Sequence, residues 1–331
     1  MTLSWILSIV SILFFIGFLN AAAFGSDNGI TGSTTVNSTT TNDNYTLTKK
    51  WGEKGTGDGQ LMHPHSLAVD TSGNAYVTDT GNKRIQKFSI DGKFITKWGS
   101  EGKGDGQFMG LHDIAVDTSG AFVYTVELAN HRVQKFDSNG KFITKWGFEE
   151  AGGRQASRAP HSIAVDASSN VYLTDKNGHD ILKFDANGNF LMKWGSKGSD
   201  DGQFDRPHGI AIDKDDSVYI TDMGNYRIQK FDSNGKFLSK IQSSYGTRNG
   251  QFSNTTPGIA VDSHDNVFVI DKLYPRVLKY DRNGELIISW GTKGTGDGQF
   301  KRPEDIVIDQ SGNVYISDTR NSRIQVFAIV K

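Results

Sequence analysis

Residues 65–98 read HSLAVDTSGNAYVTDTGNKRIQKFSIDGKFITKW. Four short runs stand out in it: HSLAVD (65–70), NAYVTD (74–79), RIQKFS (84–89) and KFITKW (93–98). Each is rich in β-branched or aromatic residues, and TSGN, TGNK and IDGK separate them with turn chemistry. Asp-Gly here, and Asn-Gly in the SNGK of later copies, supply the positive φ of tight hairpins. The stretch is therefore four antiparallel strands. In the first of them bulky Leu67 and Val69 alternate with small Ser66 and Ala68, as expected near a tapering centre.

The stretch recurs. Trp-Gly pairs stand at Trp51, Trp98, Trp146, Trp194 and Trp290, with spacings of 47, 48, 48 and 96 residues. Ile241 fills the position missing from the double gap. Six units of four strands are the sequence form of an all-β six-bladed β-propeller, because one such sheet cannot bury both faces alone. The ends predict how the ring closes. The sixth unit stops at RIQVFAIVK, its third strand, whereas YTLTKKW (45–51) matches KFITKW with no blade of its own before it. The N-terminal strand is expected to complete the last blade and leave the ring without a gap.

Three segments divide the chain of 331 residues: 1–24, 25–44 and 45–331. The first has no charged side chain. Its apolar stretch, Ile6 to Leu19, and Ala21-Ala22-Ala23 fit a cleaved secretory signal, while residues 3–24 are also long enough for an uncleaved membrane anchor. Either places the remainder outside the cytoplasm, secreted or held at the cell surface. Residues 26–44, SDNGITGSTTVNSTTTNDN, are too polar to offset their ordering entropy and read as a flexible tether. Sequons begin at Asn37, Asn44 and Asn254. Lys+Arg is 36 and Asp+Glu is 37, so no basic footprint for nucleic acid exists. The absence of cysteine excludes disulfides and thiolate metal sites. Nothing in the pattern calls for more than a monomer.

The pattern GxGDGQF…PHxIAVD…GNxYVTD…NxRIQKF resembles the NHL repeat. Here it reads GTGDGQLMHPHSLAVDTSGNAYVTDTGNKRIQKF, then GKGDGQFMGLHDIAVD, SDDGQFDRPHGIAID and GTGDGQFKRPEDIVID. It covers nearly everything outside the leader and tether. The resemblance implies the six-bladed fold. Similar proteins include extracellular sensor domains, cell-surface binding proteins, RNA-binding domains of tripartite-motif proteins and the peptidylglycine amidating lyase, a zinc enzyme. Function must be argued from the site.

Chain direction puts one residue of each unit at the start of the innermost strand, on one mouth of the channel, here called the top. Around the ring these are His65, His112, His161, His208, Pro257 and Glu304. Imidazoles and a carboxylate on one rim are ligands that zinc accepts. Asp113 and Asp305, one position on, could orient the rings. The lyase resemblance implies zinc-binding histidines at this position, but its tyrosine in the second top turn has only shifted counterparts here, Tyr226 and Tyr274. The competing reading is a polar rim copied by duplication. The Asp79…Arg84 spacing, echoed by Asp222…Arg227, Asp271…Arg276 and Asp318…Arg323, reads as a structural ion pair. The GTGDGQ loops read as inter-blade turns, since no Lys-Ser pair or helix follows them.

The units depart from their template in the third linker, FEEAGGRQASRAPH (148–161), and the fifth, QSSYGTRNGQFSNTTPG (242–258). Both fall on the top face, and loops that differ on one face of a repeat scaffold mark where it binds. The expected function is thus an exported scaffold that binds a protein or carbohydrate, with no catalytic residues and no obligatory cofactor. Arg154, Arg158, Glu127, Tyr226 and Tyr274 are the candidate contacts. The second reading is a zinc-dependent lyase or hydrolase using His65, His112, His161, His208 and Glu304.

Overall fold

A computed structural model describes residues 44–148, 158–243 and 257–329. The fourfold motif read from residues 65–98 forms one antiparallel sheet of Pro64–Val69, Ala75–Asp79, Arg84–Phe88 and Phe94–Trp98. Five further sheets of the same order complete a six-bladed propeller, and the strand nearest the axis is always the first of its blade. The ring closes as expected. Tyr45–Trp51 pairs antiparallel with Arg323–Ile329, from Tyr45 opposite Ile329 to Trp51 opposite Ile324, in one sheet with Val314–Asp318 and Pro303–Ile308.

The core lies between blades. Tyr124, Val126 and Val133 of the second blade pack with Ile163, Val171 and Leu173 of the third, and Phe148 seals the junction. The conserved shape of the outer hairpin has a steric cause. Gly140 sits at φ +89°, and a Cβ there would lie 2.4 Å from the Trp98 ring of the preceding blade. The SNGK turn therefore needs glycine for its backbone and for its neighbour's indole. Where Ile241 replaces tryptophan, the contact at Gly284 relaxes to 3.2 Å.

A buried ion-pair hub fastens the upper surface. Asp79 accepts Arg84 Nε at 2.7 Å, Gln86 Nε2 at 3.0 Å, Asn82 Nδ2 at 2.8 Å and the Met62 amide at 2.6 Å. Arg84 then reaches over to the carbonyls of Thr56, Gly57 and Gln60, and so pins the glycine-rich loop to its blade. Inside that loop Gln60 Oε1 accepts the Gly57 amide at 2.9 Å. The GTGDGQ segments are thus inter-blade turns held by side chains, as their sequence implied.

Closure predicts a sharp boundary for N-terminal truncation. Removing residues 1–50 exposes the last blade's edge and strips away the partly buried Tyr45 and Leu47, whereas removing 1–42 touches neither. Losing two such side chains and a strand ladder should lower the melting temperature by roughly 10 °C. Equal melting temperatures for the two truncations would show that the pairing contributes little.

Candidate functional site at the top mouth of the channel

A β-bulge in the innermost strand aims the rim. In the first blade Pro64 opposes Asp79 and Leu67 opposes Val77, so His65 and Ser66 together face Thr78. The same interruption falls at Pro160/Ile163, Pro207/Ile210 and Pro303/Ile306. A bulge breaks strict alternation and re-aims side chains. Two consecutive residues of one strand accordingly line the channel. The threonine of the VTD phrase repairs the ladder: Thr78 Oγ1 accepts the Ser66 amide at 2.8 Å. Its counterparts also tie blades together, since Thr174 Oγ1 donates to the His208 carbonyl at 2.6 Å and Ser317 Oγ to that of His65 at 2.8 Å.

His65, His112, His161 and His208 form a contiguous arc, with ring centres 4.0, 3.9 and 3.4 Å apart in succession. They line a pocket of about 280 Å³ with Pro257, Glu304, Met223, Lys176, Lys272 and Arg302. His112 Nδ1 lies 2.8 Å from the His161 carbonyl and His208 Nδ1 3.3 Å from that of Pro257. A carbonyl only accepts, so Nδ1 carries the proton and Nε2 the lone pair. Burial holds His65 down at about 3, helped by the Lys272 charge. Burial likewise holds His112, His161 and His208 well below the ordinary imidazole range, and neighbouring rings add to it. The arc is neutral at pH 7.

The charges lie across the pocket. Glu304 accepts Arg302 Nε at 2.9 Å and Lys272 Nζ at 2.7 Å, with His65 Nε2 at 3.8 Å. Lys176 makes no side-chain hydrogen bond or ion pair among the described residues. Burial, Arg206 and Lys272 all lower its pKa. Three cations against one carboxylate leave the mouth with a net positive charge.

Does this arc fit zinc? An ion about 2.0–2.1 Å from each nitrogen in tetrahedral geometry would hold ring centres roughly 5 Å apart. The rings are closer than that, and they tilt against one another rather than around a common point. Among the described residues no three His, Asp or Glu side chains are grouped to hold a metal. The donor types suit zinc, but their arrangement does not.

Beneath the rim lies a second tier. Ser66 Oγ is hydrogen-bonded to Asp113 Oδ1 and lies 2.7 Å from Asp305 Oδ2. One hydroxyl proton cannot serve both carboxylates, so one carboxyl must carry a proton of its own. Burial, and then the Asp113 charge, pushes Asp305 up to about 7, and burial raises Asp113 as well. These aspartates face each other through Ser66. They make no hydrogen bond to the histidine rings among the described residues; on His112 and His208 a backbone carbonyl takes the expected orienting role, while Nδ1 of His65 and of His161 is buried without a partner.

The proposed contact residues separate. Glu127 is fully buried and takes the hub role of the second blade, accepting Arg132 Nε at 2.6 Å and the Met109 amide at 2.9 Å. Arg158 is 6% exposed and bonds to Asp175 at 2.7 Å and Asp180 at 3.0 Å. The third blade has Asp180 where other blades have the hub arginine, and Arg158 of the altered linker supplies the missing cation. Both residues therefore belong to the scaffold, not to a docking surface. Tyr226 and Tyr274 are half-buried in the top turns and stand outside the histidine pocket. Arg154 lies outside the described residues. Sequence reasoning missed Lys176, Lys272 and Arg302. A signal existed for the lysines: both follow the hub aspartate directly, where the other units have Thr80, Leu128, Met223 and Thr319.

Comparison with known proteins agrees with this architecture. The NHL repeat model matches residues 204–231 and 300–327, and a 6-bladed beta-propeller family model matches 55–149. Protein lin-41 of Caenorhabditis elegans is 44% identical over 46 residues, 14% of this chain and 4% of that protein. NHL repeat-containing protein 3 of Homo sapiens is 50% identical over 40 residues, 12% of each. The matches thus span a small part of those relatives. Among solved structures, virginiamycin B lyase from Staphylococcus aureus superposes with a TM-score of 0.59 at 16% identity, over 87% of this chain and 100% of that one. A gluconolactonase from Xanthomonas campestris gives 0.59 at 14% identity, over 82% and 88%. At such identities the likeness shows the fold alone.

Two predictions follow from the buried charges. Arg158→Met leaves buried Asp175 with backbone amides alone and Asp180 with only Lys193 at 3.7 Å, and should destabilise by about 3 kcal/mol. Adding Asp180→Arg rebuilds the pairing of the other blades and should recover much of that loss in chemical denaturation; no recovery would refute the substitution of one arginine for the other. The second concerns pH. Asp305 binds its proton more tightly folded, at about 7, than at its ordinary 3.8, so its contribution is present below about 4 and lost as pH rises through 7. The histidines act oppositely: their depressed values give stability above about 6.5 that is lost as pH falls. Asp305→Asn should therefore gain melting temperature relative to the parent as pH climbs from about 4 to 8. A difference independent of pH would refute the shared proton.

Proposed function

Because the chain is an NHL-repeat six-bladed β-propeller, we propose that it is an exported binding scaffold whose partner, a protein or carbohydrate, seats on the top face around the channel mouth. One observation carries this reading. The top mouth holds a pocket with a lysine that is unpaired among the described residues and a net positive charge, in which Lys176, Lys272 and Glu304 depart from the repeat template. The opposite mouth is instead lined by repeated turn aspartates such as Asp70, Asp117 and Asp166. Each of these carboxylates is engaged in its own turn, as Asp70 is with the amides of Ser72 and Asn74. The top therefore offers groups free to bind, and the bottom offers groups committed to the fold.

Export is part of the proposal and rests on the apolar leader, which lies outside the described residues. No helix among the described residues is long and apolar enough to cross a membrane. The zinc lyase reading draws support from the residue types of the rim and from the presence of lyases among proteins of this fold. It is weaker than the scaffold reading because the rings do not converge and no tyrosine among the described residues lines the pocket.

A photo-crosslinking side chain at exposed Leu273, in a top turn, should capture a partner on intact cells, whereas one at exposed Ser311, in a bottom turn, should not. Capture from the bottom alone would reverse the assignment. Protease added to intact cells should reach the propeller; protection until lysis would defeat export. Purified, dialysed protein should carry zinc well below one ion per chain. Stoichiometric zinc lost in His112→Ala would move the lyase reading to first place.

A further inference from the structure

The two sides of the top pocket ask for different chemistry. Along blades one to four, the rings present neutral imidazole. On His112 and His208 the Nδ1 proton is committed to a backbone carbonyl. Their Nε2 atoms make no hydrogen bond within the protein among the described residues, so each offers a lone pair to the space that the rings line. A lone pair needs a donor, and an anionic oxygen facing it would be repelled. Opposite stand cations. Lys272 and Arg302 share Glu304, and Lys176 has no carboxylate partner among the described residues. An ammonium partly removed from water and left without a counter-charge is costly unless a ligand supplies one.

From this division we infer that the pocket binds a small polyhydroxy carboxylate, a sugar acid, with its carboxylate at Lys176 and its hydroxyls donating to Nε2 of His112 and His208. Neither half of the molecule alone meets both walls. A neutral sugar leaves Lys176 uncompensated, and a simple carboxylate leaves the imidazole lone pairs without donors. Inorganic phosphate supplies charge but few hydrogens. A pocket of about 280 Å³ admits one monosaccharide unit rather than a folded partner. The second tier, where Ser66 bridges Asp113 and Asp305, floors the pocket and keeps the ligand at the mouth. A terminal uronic acid of a longer chain would enter the same way. The inference rests on the reading that the top face binds, and it names what the pocket itself takes.

Calorimetric titration of the purified full chain tests it, with glucuronate, glucose, acetate and inorganic phosphate as probes. Glucuronate should bind at least about tenfold more tightly than each of the other three, since it alone satisfies both walls. Lys176→Gln should weaken glucuronate at least about tenfold and leave weak glucose binding unchanged. His112→Phe should reduce glucuronate toward the level of acetate. Lys97→Gln, on an outer strand and paired with exposed Asp58, should change nothing. Acetate or phosphate binding as well as glucuronate, or glucuronate binding that ignores Lys176, would overturn the inference. The titration reads the pocket alone. Its failure with successful top-face crosslinking would reject the sugar acid and keep the scaffold, whereas failure of the crosslinking would reject the scaffold reading itself.

Discussion

The upper surface of this propeller depends on a carboxylate buried at the end of each blade's second strand. Isolated, such a charge would be expensive. Here arginine, asparagine, glutamine and a backbone amide converge on it, as on Asp79. The arginine then extends to three carbonyls of the preceding linker. One ion pair thus fixes strand, turn and inter-blade loop together. Its necessity shows where it is broken: the third blade lost its arginine to Asp180, and Arg158 enters from the linker to restore the charge. The second blade lengthened the acid to Glu127 and kept the pair. A scaffold that repairs the same contact in different ways is constrained by it.

The second constraint is the bulge two residues into the first strand. Strict alternation would send one of two neighbouring side chains into the blade and one to its other face. The bulge turns both toward the axis, so a rim residue and a tier residue come from each of the five blades that carry it. The missing ladder bond is then supplied by a hydroxyl one residue before the hub aspartate. The dipeptide Thr-Asp accordingly performs two tasks: the threonine supports the bulge and the aspartate anchors the loop. Scaffold chemistry and site geometry are encoded in adjacent letters.

The fold was legible because each strand announces itself. Turn residues fall at fixed offsets, the tryptophan recurs, and a strand without a blade stands at one end while a blade without a strand stands at the other. The hub pair was legible too, since Asp79 and Arg84 repeat at constant spacing. The site was legible only in part. The histidine positions could be read from register, but whether four rings converge on an ion or stack beside one another depends on bulge geometry that no letter reports. Glu127 and Arg158 looked like departures free to bind; both are compensations within the hub, and burial alone reveals it. Lys176 and Lys272 were easily passed over because the residue after the hub acid follows no template, being Thr80, Leu128, Met223 or Thr319 in the other units. Its direction toward the axis is a property of the turn and not of the sequence pattern.

These constraints explain how one end of the channel can carry chemistry while the other cannot. At the bottom, the aspartate closing each first strand caps its own turn, so its acceptor sites are filled from within its own blade, as Asp70 is by Ser72, Asn74 and Tyr76. At the top, His112 and His208 each make a ring contact with the backbone of the next blade and leave Nε2 unassigned. Substitution there costs the fold little, which is how histidine, proline and glutamate can occupy equivalent positions. The tier beneath tolerates less. Gly209 and Gly258 have no room for a Cβ, with the Pro257 carbonyl at 2.4 Å and Asp305 Cα at 2.8 Å. The remaining three-way contact of Ser66, Asp113 and Asp305 ties the first, second and sixth blades together around a narrow cavity, with one carboxyl proton between two acids. A propeller built this way has a fixed floor and an adjustable rim, and its specificity must be sought in the side chains that stand above that floor.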